Sequence, residues 1–522
     1  MQPTELTIPA LLATRRRADP TVQALVSDDE AVTYAELDDA SRALAARLVG
    51  AGVNKGNRVG LLLPNGVDWA VAALAVMRVG GVLVPLSTLL APPELLAQLR
   101  VAAVTHLIAA TRFRGRSYVD ELESMAVGAR QGRRPEAAPA LRSIWTWDEL
   151  PASPPPAAVV DGLESVVRPA DDLVILFTSG SRGTPKGVIH THGNALRATA
   201  SGLGSRRIGP GERLYLPMPF FWTGGFGGGL LSALVAGATL LTEAVPEPAR
   251  TIRFLERERV TLFRGWPDQA ARLAAHPAFA AADLASLRPA SLGPVLPAAQ
   301  QPAPGARANL FGMTETFGPY AGSRLDVDLP VDKWGSCGRP FPGVRVRIVE
   351  PDTGLEVPPG ADGEIQLRGP TLMRGIRGRL RADVFGVDGF YPTGDLGALD
   401  EDGYLWYRGR LDDMFKINGA TVYPMEVEAA LRSLPGVTTA VVTDVVDEDG
   451  TRRVAALVVV ASLGDGGGLV EAARSRLSSF KVPTQWRVVD EPDAVPRLAS
   501  GKVDLPALRR LFGPSAGRKG SP

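Results

Sequence analysis

Thiol chemistry is all but absent from these 522 residues, because Cys337 is the only cysteine. That excludes an intrachain disulfide and a thiolate metal cluster. Histidine is nearly as scarce, and His106, His190, His192 and His276 show no HExxH or similar ligand spacing. His190 and His192 alternate, a pattern that reads as structural rather than as a zinc site. Neither sign of charge dominates: 57 Lys+Arg against 56 Asp+Glu leave a net charge of +1. Nothing therefore points to a nucleic-acid or anionic-membrane partner. The most apolar stretch, Gly229 to Leu241, is too short and too rich in Gly and Ala for a membrane span. The opening Met1-Gln2-Pro3-Thr4-Glu5 lacks the basic and apolar regions of a signal peptide. A cytoplasmic protein, monomer or homodimer, is the expectation. Lysine is sparse too: Lys55, Lys186, Lys333, Lys416, Lys481, Lys502 and Lys519 are the only ones among 57 basic residues. Where arginine is the habitual cation a lysine is less of an accident, and four of the seven fall in the motifs below.

The chain is too long for one core, and two or three domains are expected. At 45% hydrophobic and 22% charged it has the composition of an ordinary globular protein. Strand-like and helix-like runs alternate through the first half, which predicts an α/β architecture. Ala31-Val32-Thr33-Tyr34 reads as a strand before a helix over 35–50. Arg58 to Leu63 is a strand closed by the turn Pro64-Asn65-Gly66, Asp68 to Val79 a helix, and Gly81 to Pro85 another strand. Pro151 to Ala158 is a Pro/Ala linker. After about residue 335 short strands with turns predominate, as in Val344–Val349 and Gly363–Leu367, predicting a β-rich subdomain. From Arg410 a small α/β unit of roughly 110 residues remains. The tail after Phe512, GPSAGRKGSP, has the composition of a disordered end.

One segment carries more chemistry than the rest. Leu173 to Phe177 reads as a buried strand, and Thr178-Ser179-Gly180-Ser181-Arg182-Gly183-Thr184-Pro185-Lys186-Gly187 follows it. Hydroxyls, glycines and a lysine leaving a strand make a loop whose backbone N–H groups can wrap a polyphosphate. It is not a Walker A loop, because Pro185 stands where that pattern needs glycine. A solvated Gly/Ser turn has the same composition.

The loop resembles the phosphate loop T-S-G-[ST]-T-G-x-P-K-G of the adenylate-forming superfamily: acyl-CoA synthetases, peptide-synthetase adenylation domains and luciferases. Arg182 departs from its common Thr. Three further clusters resemble that superfamily in the expected order, so the similarity runs from about residue 25 to 512. Asn309-Leu310-Phe311-Gly312-Met313-Thr314-Glu315 resembles N-x-[YF]-G-x-T-E. The resemblance implies Phe311 stacked on adenine beside Gly312, Asn309 at the adenine amino edge, Thr314 by the α-phosphate and Glu315 holding Mg2+, which prefers hard oxygen ligands. Tyr391-Pro392-Thr393-Gly394-Asp395-Leu396 is similar to Y-x-T-G-D-L, where Asp395 offers two acceptors to the ribose hydroxyls. Arg410, fifteen residues on, is implied as a second ribose contact, and Asp412 as the hinge. Pro496 to Lys502 resembles P-[RK]-T-x-[ST]-G-K, with Leu498 in place of Thr, and Lys502 is the implied catalytic lysine. Its ammonium would bridge two anions as negative charge develops at phosphorus. Lys416 to Glu428 resembles the loop that swings in for thiolation, with Gly419 letting a pantetheine arm pass; Phe480-Lys481-Val482-Pro483 matches a structural strand entry.

The resemblance implies an α/β fold: a large N-terminal domain of mixed sheets with helices over 1–409, its β-rich subdomain at about 335–409, a hinge at 410–413 and a small mobile C-terminal α+β domain over 414–522. It implies an ATP-dependent ligase that activates a small-molecule carboxylic acid and transfers it to CoA, closest in pattern to bacterial acyl-CoA synthetases. An acyl-AMP ligase loading an acyl carrier protein and a non-catalytic nucleotide-binding regulator are the alternatives. Pro219-Phe220-Phe221-Trp222-Thr223-Gly224-Gly225 lies where many synthetases carry P-x-F-H-x-x-G, which puts Trp222 in the place of the histidine. No aspartate is available there for a substrate ammonium, so an α-amino acid is disfavoured. The aromatics, with Trp266 and Gly293, are expected to line a pocket for a bulky apolar acid. The glycines of 224–229 would either widen that pocket or only permit close packing. Pro302 and Pro304 disfavour a full helix between Gly293 and Phe311. Arg377-Gly378-Arg379-Leu380-Arg381 is expected to be a solvated loop.

Overall fold

Runs such as Arg58–Leu62, Val82–Pro85 and His106–Ala109 are apolar almost throughout, the pattern of parallel strands covered on both faces. In the computed structural model they lie at the centre of a seven-stranded sheet, ordered 375–376, 186–191, 172–178, 82–85, 58–62, 106–109 and 143–146. The structure describes residues 6–512 except 29, 126–136, 153, 154, 156, 179–184, 412, 418, 419, 448–450, 462–467, 475, 478–480, 499 and 500. Five strands of the sheet run parallel, and Lys186–Thr191 and Gly375–Ile376 complete it in antiparallel pairing. Val59, Leu61 and Ile108 belong to one core, and Leu62, Leu107 and Ala109 to another. This is the period-two alternation of a doubly covered sheet. Helix Val67–Arg78 fills the first of these cores: every residue of it except Asp68 is buried. Trp69 there meets Phe220 and Phe226 edge-on at 5.1 and 5.6 Å.

A five-stranded sheet follows the order 262–263, 213–215, 239–242, 23–27 and 30–33. The predicted strand and helix of the first fifty residues are Glu30–Thr33 and Tyr34–Gly50, with Thr33 and Glu36 closing a reciprocal cap. Between Gly293 and Phe311 only two short 3-10 turns form, Gly293–Val295 and Ala298–Gln300. Prolines 302 and 304, which cannot donate a helical hydrogen bond, follow them. A three-stranded antiparallel sheet joins 311–313, 318–322 and 339–340. Arg377, Arg379 and Arg381 are all exposed.

The chain divides into two compact units: Met1–Val346 with Leu367–Tyr391 and Gly403–Leu405, and Arg347–Gln366 with Pro392–Asp402 and Trp406–Pro522. The second thus takes in segments of the β-rich region as well as the C-terminal part. It holds most of a four-stranded sheet (345–349, 363–368, 391–399, 405–410), a short hairpin (415–417, 420–422) and a three-stranded sheet (437–446, 452–460, 485–489). Helix Pro424–Arg432 opens on a proline in its first turn, and its Val427 and Leu431 pack into the core that Val442, Ala456 and Val458 share. No helix among the described residues is long and apolar enough to cross a membrane.

Candidate active site

The antiparallel ladder sets Thr178 directly opposite Lys186, so the two ends of the phosphate-loop segment are neighbours. Ser179, Gly180, Ser181, Arg182, Gly183 and Thr184 lie outside the described residues. Lys186 reaches Glu315 with Nζ 2.5 Å from Oε1, and Tyr391 closes a triangle: its hydroxyl lies 3.2 Å from Nζ and 3.3 Å from the same Oε1. Both donors fall on one oxygen of a buried carboxylate. That leaves Oε2 as the oxygen for a cation, and a hard anionic donor of this kind fits Mg2+.

Glu315 is aimed by the turn Thr314–Thr316 and its supports. The Thr314 carbonyl accepts from Phe317 N at 3.0 Å and from His190 Nε2 at 2.7 Å, while Met373 N donates to Glu315 O at 2.8 Å. His190 Nδ1 takes Asn194 Nδ2 at 2.8 Å, which assigns the ring proton to Nε2. Burial pulls this imidazole down to about 4, against weaker opposing contributions from Thr314 and Glu315, so it is neutral at physiological pH. Phe317 turns the chain at φ +57, a left-handed conformation unusual for a bulky residue. Its ring packs edge-on against His190 at 4.9 Å and Phe226 at 5.8 Å, which holds the turn in place.

Phe311 is half-buried and meets Tyr320 edge-on at 5.5 Å. Asn309 is exposed. Gly312 is sterically required: a Cβ there would stand 2.2 Å from the Gly318 carbonyl oxygen across the hairpin.

In the second unit Arg410 Nη1 binds Asp395 Oδ1 at 3.0 Å and the Thr393 carbonyl at 2.9 Å. Gly394 between them has φ +69, and a Cβ on it would sit 2.9 Å from Arg410 Nη2. Glu364 accepts from Gly394 N at 3.1 Å, holding the strand at this left-handed residue. Lys502 is exposed on a tight loop, its carbonyl accepting from Leu498 N at 2.8 Å, with Gly501 at φ +80. Asp412 and Gly419 lie outside the described residues.

The expected acyl pocket resolves less simply. Trp222 is half-buried between Phe221 at 5.2 Å and Trp266 at 6.0 Å, both edge-on, and Trp266 is 37% exposed. Phe220, by contrast, has no exposed surface and packs on Trp69, so it belongs to the core and not to a pocket wall. Gly225 is likewise a packing residue: a Cβ would meet Pro219 O at 2.2 Å. Gly227 and Gly229 are filled in the same way by Phe317 and Leu216. A Cβ on Gly224 would stand 2.8 Å from the Met218 sulfur, whereas one on Gly293 would find only Pro302, at 3.5 Å.

Sequence reasoning missed three residues that build the site. His190 holds Thr314 from 124 positions away. Tyr391 completes the Lys186–Glu315 triangle. Asn65, read only as part of a turn, accepts from Phe220 N at 2.8 Å and donates to Met218 O at 2.9 Å, anchoring the segment that ends in Trp222. The residue types gave a signal in each case, but no partner.

Residues 12–377 match the model of the AMP-binding enzyme family, and 426–502 match that of the AMP-binding enzyme C-terminal domain. The chain belongs to this family and has the fold of adenylate-forming enzymes. Among its relatives is a methyl-dioxo-octahydro-indenyl-propanoyl:CoA ligase of Mycobacterium tuberculosis, 35% identical over 97% of this chain and 99% of that protein. A feruloyl-CoA synthase of an Amycolatopsis species is 34% identical over 96% and 98%. The O-succinylbenzoate coenzyme A synthetase of Bacillus subtilis, solved with ATP and a magnesium ion, superimposes with a TM-score of 0.75 at 25% identity, covering 96% of this chain and 98% of that one.

Proposed function

We propose that the protein is an AMP-forming acid–CoA ligase for a bulky carboxylic acid without an α-amino group. The observation that carries the reading is the buried Glu315 carboxylate, clasped by Lys186 from the end of the phosphate-loop segment. An anionic pocket residue held by a phosphate-loop lysine suits a site that handles polyphosphate and cation together. Magnesium bound at Glu315 would neutralise phosphate charge as pyrophosphate leaves.

The protein's own groups divide the work. Thr178 and Lys186 receive phosphate oxygens, and Lys186 supplies a point charge. Phe311 offers a face to adenine. Asp395, already oriented by Arg410, presents carboxylate oxygens to the ribose hydroxyls. Lys502 neutralises the approach of the acid's carboxylate to the α-phosphate, forming acyl-adenylate. Gly419 is assigned to the pantetheine path in the thiolation that follows, and Asp412 to the hinge between the 1–409 and 414–522 domains.

Relatives that match end to end act on a fused-ring propanoate and on ferulate, which supports a ring-bearing acid. Trp222 and Trp266 are the aromatic walls that remain once Phe220 is assigned to the core. Acid-dependent pyrophosphate exchange, followed by CoA-dependent AMP formation, tests the reading. Exchange with acids but AMP formation only with a phosphopantetheinylated carrier protein would replace CoA as the acceptor. No exchange with any acid would remove the ligase assignment.

A further inference from the structure

Arg206 is 7% exposed, and no carboxylate among the described residues pairs with it. Its guanidinium has five N–H donors. Three carbonyls take it: Gly202 at 3.2 Å from Nε, Thr199 at 3.1 Å from Nη2 and Gly228 at a long 3.3 Å from Nη1. Burial pulls it down to about 10, which still leaves it cationic at neutral pH. A buried cation without a counter-anion is costly unless something completes its shell. Thr199, whose carbonyl it binds, is also buried, and its hydroxyl has no hydrogen-bond partner among the described residues. Arg264 adds a second guanidinium beside it: Nη2 donates to the Arg206 carbonyl at 2.7 Å, and its Nε is buried without a partner.

At Gly228 the packing beside this cluster is loose enough to accept a side chain without a clash. A Cβ built there would meet only Arg206 Nη1 at 3.9 Å and Leu216 Cδ2 at 4.0 Å, unlike Gly225, Gly227 and Gly229, which are packed tight. Gly228 and Gly224 stand four residues apart on one side of the helical run 223–231, and both keep some exposed surface. Trp222 immediately precedes that run, whose part 226–231 is π-helical and rises less per residue than an α-helix, so Gly228 lies at most about 9 Å further along its axis. A ring-sized acid spans such a distance; acetate does not.

We propose that Arg206 is a specificity residue that receives an acceptor oxygen, ketone or carboxylate, carried at the far end of the substrate acid. The substrate is then a bulky acid with a second oxygen function, not a plain hydrocarbon one. This rests on the ligase reading above and names the substrate class for it. Its alternative is a purely structural guanidinium that caps the carbonyls of residues 199 and 202 at a helix end.

The test compares 3-cyclohexylpropanoate with its ring-ketone and ring-carboxylate derivatives in acid-dependent pyrophosphate exchange. The wild-type enzyme is expected to favour one derivative over the parent by on the order of 10- to 100-fold in kcat/KM, mainly through KM. In Arg206→Met that ratio should collapse toward one, with partial recovery in Arg206→Lys. A structural guanidinium would lower all three acids alike and leave the ratio intact, which overturns the proposal. Should Arg206→Met fail to fold, Gly228→Val keeps the guanidinium and fills the space beside it. Loss of the ratio there supports the assignment, and an unchanged ratio overturns it. A wild-type enzyme that exchanges with all three acids equally refutes the distal site but not the ligase. One that exchanges with none, nor with any other acid, refutes both.

Discussion

Glu315 shares one oxygen between an ammonium and a phenol, so its charge and its shape can be separated by substitution. Glu315→Gln preserves the shape but deprives Lys186 of its counter-charge and removes the anionic oxygen proposed for a cation. Adenylation should fall by on the order of 100-fold or more, with a raised KM for Mg·ATP in pyrophosphate exchange. Tyr391→Phe removes only the weaker contacts and should cost less than about 10-fold. Equal losses from the two would mean that the phenol, not the carboxylate, organises the site. Lys502 is separable in another way. It is exposed and takes no part in the core, so Lys502→Ala should leave the thermal midpoint unchanged while adenylation drops by on the order of 100- to 1000-fold. The same variant should still turn preformed acyl-adenylate and CoA into thioester, since that step needs no phosphoryl charge stabilisation. Loss of both half-reactions in equal measure would assign Lys502 a shared role.

At the scale of the element, the hairpin Phe311–Gly322 shows what packing adds to a motif. Gly312→Ala drives a methyl into the Gly318 backbone, which cannot yield as a side-chain tip could. The expected outcome is a loss of roughly 1–3 kcal/mol in denaturant unfolding, together with weaker ATP binding as Phe311 shifts. Gly293→Ala is the contrasting case: its methyl meets only Pro302 at 3.5 Å, so stability should change by less than about 0.5 kcal/mol. A change in acid preference in that variant would locate Gly293 at the pocket; unchanged preference would remove it. The sequence shows where such elements fall, because apolar runs and glycine turns are local signals. Strand Asp172–Thr178 and helix Val67–Arg78 were both legible in that way. The supports of the site were not. His190 meets Thr314, and Asn65 meets Phe220, across 124 and 155 positions, distances over which spacing carries no information. Glycines 225, 227 and 229 read in the sequence as either open volume or close packing and prove to be close packing, because only the fold reveals which face of the helix is covered.

Across the whole molecule the scarcity of histidine becomes a property of stability. Three of the four histidines belong to the seven-stranded sheet or begin the helix that leaves it: His106, His190 and His192. Burial pulls them down to about 4, about 4 and about 3, against an ordinary value near 6.5 in the unfolded chain. Each folded value lies below the unfolded one, so unfolding takes up protons between them. Stability is therefore fully present above about pH 6.5 and is lost as pH falls toward 4, each histidine contributing up to about 1.4 kcal/mol per pH unit in that window. The carboxylates held low by partners, Asp171, Asp326, Glu36 and Glu121, lose their contribution only below their ordinary values of 3.8 and 4.5, beneath the range from about pH 7.5 to about pH 5. Asp68 and Glu428, raised by burial, act in the opposite sense and blunt the slope. Denaturant midpoints measured from about pH 7.5 to about pH 5 should fall progressively below 6.5. His106 isolates one share of this effect. Its ring stacks on Trp145 at 5.2 Å and 4° with both nitrogens buried and unpartnered, so a phenyl ring can keep the stack and discard the proton. His106→Phe is expected to flatten the acid limb by about one proton and to raise stability at pH 5 more than at pH 7.5. An acid limb of unchanged slope in that variant would show that His106 is not among the groups that titrate on unfolding.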